Sequence, residues 1–138
     1  MAYISFPEKA VNQIVNATHY SLDGLKYLYK SEMAARLEIY LFFWATLILI
    51  CLGAPLRVFL ITTLLFLVLI SVEALNTAIE VIIDKISPQI SETGKHAKDL
   101  GSFAVMCLLF VNGIYFVNAV FNTPRMSGWI SQLMSTFA

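Results

Sequence analysis

Charge is scarce in this 138-residue chain, at 13% of residues, and what there is cancels, with nine basic residues against nine acidic ones. Such a balance provides no broad positive field, so nucleic acid is not an expected partner. Cysteine is nearly absent. Cys51 and Cys107 stand alone in apolar segments without Cys-x-x-Cys spacing, and they read as buried thiols with no chemical role. The N-terminus lacks a basic patch followed by an apolar core and a small-residue cleavage site, so no cleavable signal peptide is expected. What is abundant is apolar side chain. A 59% hydrophobic composition with a mean hydropathy of +0.76 is too apolar for a soluble fold of this size. Residues 1–138 therefore read as one all-α membrane domain.

Four stretches carry the helical signal, and a tail adds a candidate fifth. Over 5–30, Val11, Ile14, Thr18, Leu22, Leu25 and Tyr29 recur every three or four residues opposite mostly polar neighbours, which predicts an amphipathic helix on a membrane surface. Ser5-Phe6-Pro7-Glu8 reads as its capping box, and Gly24 is a point where it can break or bend. The first span is 33–52, with Arg36 and Glu38 near its start either snorkelling or facing the protein interior. Gly53-Ala54-Pro55-Leu56-Arg57 predicts a tight turn, and a second span of 57–86 is, at about 43 Å, longer than the hydrocarbon is thick. Residues 87–99 are polar and read as a loop, followed by a third span over 100–121 in which Asn112, Gly113 and Asn118 read as helix contacts. In the tail, 123–138, Trp129, Ile130, Leu133, Met134 and Phe137 share a face behind a candidate cap at Ser127, as in a short interfacial helix.

Seven of the basic residues, Lys9, Lys26, Lys30, Arg36, Lys85, Lys95 and Lys98, fall on one side of the three spans, and only Arg57 and Arg125 fall on the other. That asymmetry predicts a cytoplasmic N-terminus and 87–99 segment, with the C-terminus outside.

The most informative stretch is Glu73-Ala-Leu-Asn76-Thr77-Ala-Ile-Glu80-Val-Ile-Ile83-Asp84. On a helix, Glu73, Asn76, Glu80 and Asp84 project within one arc of about 80°. Periodicity alone fits an interhelical polar seam or the solvated end of a long helix as well as a site. Depth separates the carboxylates. Glu73 lies about 24 Å along the helix from Arg57, just inside the cytoplasmic edge of the hydrocarbon, whereas Glu80, about 35 Å along, reaches headgroups or water. Carboxylates in such places are costly and by default mark function. A lipid hydroxyl would lie beside Glu73, and a soluble phosphate donor would arrive beside Glu80. This arrangement suits phosphoryl transfer, with Glu73 as base, Glu80 and Glu32 as ligands for Mg²⁺, Asn76 and Lys98 on phosphate oxygens, and Asp99 orienting Lys98. Soluble phosphotransferase signatures are missing. Glu92-Thr93-Gly94-Lys95-His96 lacks the remainder of a P-loop, and neither Gly-x-Gly-x-x-Gly nor His-Arg-Asp occurs.

Glu73-x-x-Asn76-Thr77-Ala78-Ile79-Glu80-x-x-Ile83-Asp84, followed by Ala97-Lys98-Asp99-x-Gly101-Ser102, resembles the small integral-membrane diacylglycerol kinases of bacteria. Tyr20-Ser21-x-x-Gly24-Leu25 and Glu32-x-Ala34-x-Arg36-x-Glu38 extend the resemblance over about 8–121. It implies a homotrimeric helical bundle in the bacterial inner membrane, with sites shared between subunits. It also implies transfer of the ATP γ-phosphate to diacylglycerol, giving phosphatidate. Carried over by position, Glu73 is the base, and Glu32 and Glu80 are the metal ligands. Asn76, Lys98, Asp99 and Tyr20 then contact phosphate or nucleotide, and Ser21 and Ser102 line the lipid or phosphate region. Gln13 and His96 depart from the basic residues expected at their positions, and the tail after about Arg125 runs beyond the family pattern. Two other readings stay open on the residues: a polyprenol such as undecaprenol as acceptor, and a non-enzymatic membrane scaffold or small transporter.

Overall fold

The computed structural model describes residues 6–87, 89 and 91–136, with side chains from residue 9 onward. The Ser5 to Glu8 capping box, Pro88 and Phe137 lie outside the described side chains. Among the described residues the chain forms α1 (Phe6–Ser31), α2 (Met33–Cys51), α3 (Leu56–Ile86), α4 (Glu92–Phe121) and α5 (Pro124–Thr136). Three of these, α2, α3 and α4, are long and apolar enough to cross a membrane.

Each junction has a local cause. α1 passes through Gly24 without a break and stops at Glu32, which is extended at φ −104°, ψ 121°. Arg36 folds back from α2 and donates to the carbonyls of Tyr29 (2.9 Å) and Lys30 (3.1 Å), satisfying acceptors that the end of α1 would leave bare. Arg36 therefore does not snorkel to solvent alone. α2 ends in a Schellman motif: Ala54 N–H donates to Leu49 O and Gly53 N–H to Ile50 O, both at 3.0 Å, with Gly53 at φ 71°. Pro55 follows and α3 begins immediately after it.

Three expectations are corrected. Cys51 and Cys107, expected to be buried thiols, are both exposed on their helices, because an apolar segment facing lipid need not be covered by protein. The 87–99 segment is not a loop, because α4 already begins at Glu92 and only 87–91 connect the helices. Ser91 caps α4 by accepting from Gly94 N–H at 3.1 Å. Gly94 is also packed close to α3: a Cβ there would meet Ile83 Cγ2 at 3.1 Å and Ser91 Oγ at 2.9 Å. In the tail, Ser127 is not a cap. α5 starts at Pro124, a position where the missing N–H costs nothing, and the Ser127 hydroxyl donates to Thr123 O and Pro124 O.

α3 and α4 form the closest helix pair, and α2 packs against both. The protein-facing core is narrow, comprising Leu28, Ala35, Leu49, Leu69, Val105 and Ala119, while large side chains such as Leu64 and Phe110 point outward. An outward apolar surface is what a lipid solvent permits. The rings of Phe42 and Phe66 stack at 4.1 Å between α2 and α3, and Asn112 Nδ2 donates to Leu108 O (2.9 Å) and, across the helix pair, to Leu65 O (3.4 Å). The reading of Asn112 as a helix contact holds.

Candidate active site

The polar stripe of α3 faces inward where it matters. Glu73, Asn76 and Thr77 are buried, Glu80 is half-buried, and Asp84 is exposed, so the stripe runs from protein interior to surface within three turns. α4 makes room for it at Gly101: a Cβ there would overlap the Asn76 carboxamide. Asn76 Nδ2 donates to Glu80 Oε1 at 3.3 Å, and its Oδ1 is buried with no partner.

Other carboxylates converge on Glu73. Glu32, at the α1/α2 junction, and Glu80 are both close enough to act on its charge. Glu32 occupies the N-cap position of α2, yet its side chain makes no capping hydrogen bond, so its oxygens are not committed to the helix. Glu38, one to two turns into α2, lies within reach of the charge of Glu73 and is only 4% exposed, with neither oxygen hydrogen-bonded. Sequence reasoning treated Glu38 as one of two charges marking the start of a span. The available signal was a carboxylate inside a stretch of hydrocarbon-crossing length, which alone warrants a functional reading. Glu38 also lines a cavity of ≈ 280 Å³ among α2, α3 and α4, whose other walls include Trp44, Thr62, Phe66, Asn112 and Phe116.

At the surface end the pairing differs from expectation. Lys98 is not oriented by Asp99. Its Nζ donates to Asp84 Oδ1 at 2.5 Å, and Asp99 instead sits 3.9 Å from Lys95, one helical turn back. The two ends of the α3/α4 hairpin thus form a polar depression lined by Asp84, Ser87, Ser91, Lys95, Lys98 and Asp99. Tyr20 and Ser21 lie on the exposed part of α1. Tyr20 lines a shallow trough there with Lys9, Asn12, Gln13 and Asn16, and the Ser21 hydroxyl donates to Ala17 O, within its own helix. Ser102 is exposed on α4, next to Gly101. The fold therefore gathers Glu32, Glu73, Asn76 and Glu80, with Glu38 added. Lys98 and Asp99 stand at the neighbouring depression, and Tyr20, Ser21 and Ser102 are on open faces.

Among the described residues no three His, Cys, Asp or Glu side chains form a ready-made metal site. The donors near Glu73 are hard oxygens, the Glu32 and Glu80 carboxylates, while the buried Asn76 Oδ1 faces Gly101 of α4. That set fits a Mg²⁺ ion bound through one or two carboxylates and otherwise by water and phosphate oxygens.

Fold and site together define a membrane-embedded helical protein with a buried carboxylate cluster at one end of three candidate spans. The family model of prokaryotic diacylglycerol kinase matches residues 19–120, starting later than the resemblance read from the motifs and ending almost with it. A diacylglycerol kinase of Sinorhizobium sp is 44% identical over 108 residues, covering 78% of both chains. Those of Haemophilus influenzae (33% over 119 residues, 80% of this chain and 94% of the relative) and Escherichia coli K12 (36% over 101 residues, 72% and 81%) are similar as well. The chain belongs to the prokaryotic diacylglycerol kinase family.

Proposed function

We propose that this chain transfers the γ-phosphate of ATP to the primary hydroxyl of diacylglycerol at the cytoplasmic edge of the bacterial inner membrane, giving phosphatidate. The observation that carries the reading is the buried Glu73 carboxylate at the meeting point of Glu32, Glu38 and Glu80, at one end of the spans. Glu73 accepts the hydroxyl proton as the lipid oxygen attacks the γ-phosphorus. The new O–P bond forms as the bond to the bridging β,γ oxygen breaks, and ADP leaves with that electron pair. Proton removal by a positioned carboxylate and charge stabilisation around the transferring group are the main demands of this chemistry.

Glu32 and Glu80 would hold Mg²⁺, and Asn76 contacts a phosphate oxygen. When bound, that ion neutralises charge on the β- and γ-phosphates. Lys98 exchanges Asp84 for a phosphate oxygen, as a cation with a flexible stem can, and Asp99 keeps Lys95 near the same depression. Tyr20 contributes to nucleotide binding and Ser21 and Ser102 to the lipid or phosphate region, each from an exposed face. Exposed faces of this kind are consistent with a homotrimer in which a neighbouring subunit completes each site. The cavity below Glu38 suits an acyl chain, with the carboxylate at its polar end. The seven-to-two distribution of basic residues supports a cytoplasmic N-terminus and 87–91 connection, with the C-terminus outside.

The test is a labelled-ATP assay in detergent with lipid extraction, offering diacylglycerol and undecaprenol as competing acceptors. Labelled phosphatidate as the main product is expected. Preferential labelling of undecaprenol would reassign the acceptor, and the absence of any labelled lipid would favour a membrane scaffold.

A further inference from the structure

We propose that α5 is a membrane anchor whose apolar face inserts into the headgroup region of a lipid bilayer, at the end of the bundle opposite Glu73 and Glu80. α5 lies beyond the family match at residue 120, and none of its residues takes part in the carboxylate cluster. Its position is fixed at its first turn. Thr123 is fully buried and its hydroxyl donates to Val120 O at 2.7 Å, while Asn122 Nδ2 donates to Asn118 O at 2.8 Å, so the end of α4 is closed off by its own side chains. Arg125 then donates to the carbonyl of Cys51, the last residue of α2. α5 thus begins level with the α2–α3 turn, where the apolar runs of α2 and α4 both end and hydrocarbon gives way to headgroups.

The helix is divided cleanly. In steps of 100° per residue, Trp129, Leu133, Met126, Ile130 and Met134 occupy one arc of about 140°, and Ser127, Ser131, Gln132, Ser135 and Thr136 occupy the rest. The bundle covers the apolar arc only in part: Met126 is half-buried, but no residue of α5 is buried, and Trp129 and Leu133 remain 63% and 62% exposed. What covers it follows from continuity. Val117 and Phe121 at the end of α4 are exposed apolar side chains of a candidate span, and the apolar arc of α5 prolongs that lipid-facing surface past the turn. Charge decides the kind of lipid surface. Arg125 is the one charged residue between 124 and 136, and it is already engaged by Cys51. Attraction to anionic headgroups is therefore not the source of binding. Apolar insertion is, with Trp129 at the depth where its amphipathic ring is favoured.

The experiment places the full-length chain carrying Trp44→Phe in phosphatidylcholine vesicles, so that Trp129 is the sole tryptophan and can be excited selectively. Lipids brominated high on the acyl chain, near the headgroup, are expected to quench Trp129 more than lipids brominated near the chain end. Quenching by aqueous acrylamide should fall at least about twofold below that of free tryptophan amide, as for an inserted interfacial ring. Added anionic lipid or salt should change neither result. Acrylamide quenching equal to that of the free amide would overturn the proposal, and so would shielding from both quenchers, which would mean that a second copy of the chain covers this face. If Trp44→Phe does not fold, the difference between the parent and Trp129→Phe isolates the same signal.

Discussion

Gly101 of α4 lies directly against the carboxamide of Asn76 on α3, in a space that no Cβ can share. The absence of a side chain on one helix is what admits a polar side chain from the other. Gly101→Ala is therefore expected to displace Asn76, uncouple it from Glu80 and cost about 1–3 kcal/mol, as overpacking of a tight contact does. Kinase activity should fall with it. Adding Asn76→Ser to Gly101→Ala makes room for the new methyl, so thermal stability in detergent should recover while activity stays low. Recovery of both together would remove Asn76 from the site.

The ion pair between Lys98 and Asp84 gives a second expectation. It is partly exposed, with 34% and 67% of the two side chains accessible, so solvent screening leaves it little weight in stability. Its value is positional. Asp84→Asn should raise KM for ATP several-fold with little change in thermal midpoint, whereas Asp99→Asn, whose partner is Lys95, should affect KM less. Equal effects would show that the pair does not prepare Lys98.

That pairing also shows where sequence reasoning stops. Asp99 adjoins Lys98 in the chain, so it is the partner that local reading offers. Asp84 is 14 residues away and becomes the partner only because α3 and α4 form a tight hairpin. The start of α4 was hidden for a related reason. Glu92 to Asp99 is polar and contains Gly94, which in isolation reads as a loop, but beyond the hydrocarbon a polar helix is unpenalised, and Ser91 and Ile83 hold this one in place. Where punctuation is backbone chemistry, the chain was legible. Gly53 and Pro55 dictate the α2–α3 turn, and the α3 stripe follows from periodicity alone. Glu38 was visible as a charge in an apolar segment, but its burial comes from the packing of helices that no local pattern describes.

Glu38 yields a third expectation. A buried carboxylate with no hydrogen-bond partner is a destabilising feature, retained where it serves function. Glu38→Gln keeps the shape and removes the charge. It should leave thermal stability unchanged or higher, and lower kcat for lipid phosphorylation by about tenfold or more, in the range of a group that supports proton transfer. KM for ATP, whose phosphates the proposed mechanism puts nearer Glu80, should change little. Unaltered kcat would reduce Glu38 to a packing residue of the cavity.

The separate roles assigned to the clustered carboxylates can be told apart by the Mg²⁺ dependence of the rate. Glu73 is buried, while Glu80 and Glu32 are half-buried and reach toward water, so only the latter two can share a cation with phosphates arriving from solution. Chelation by EDTA is expected to abolish activity reversibly. Glu80→Gln and Glu32→Gln should each weaken the apparent affinity for Mg²⁺, moving the activation curve to higher concentration, with part of the rate recovered at saturation. Glu73→Gln should lose at least about 100-fold in kcat, as expected for removal of a general base, and no concentration of Mg²⁺ should restore it. Since Gln preserves the volume of Glu, all three variants should assemble like the parent on size exclusion. If Glu73→Gln were instead rescued by Mg²⁺, the base would have to lie elsewhere in the cluster, and Glu38 would be the next carboxylate to test.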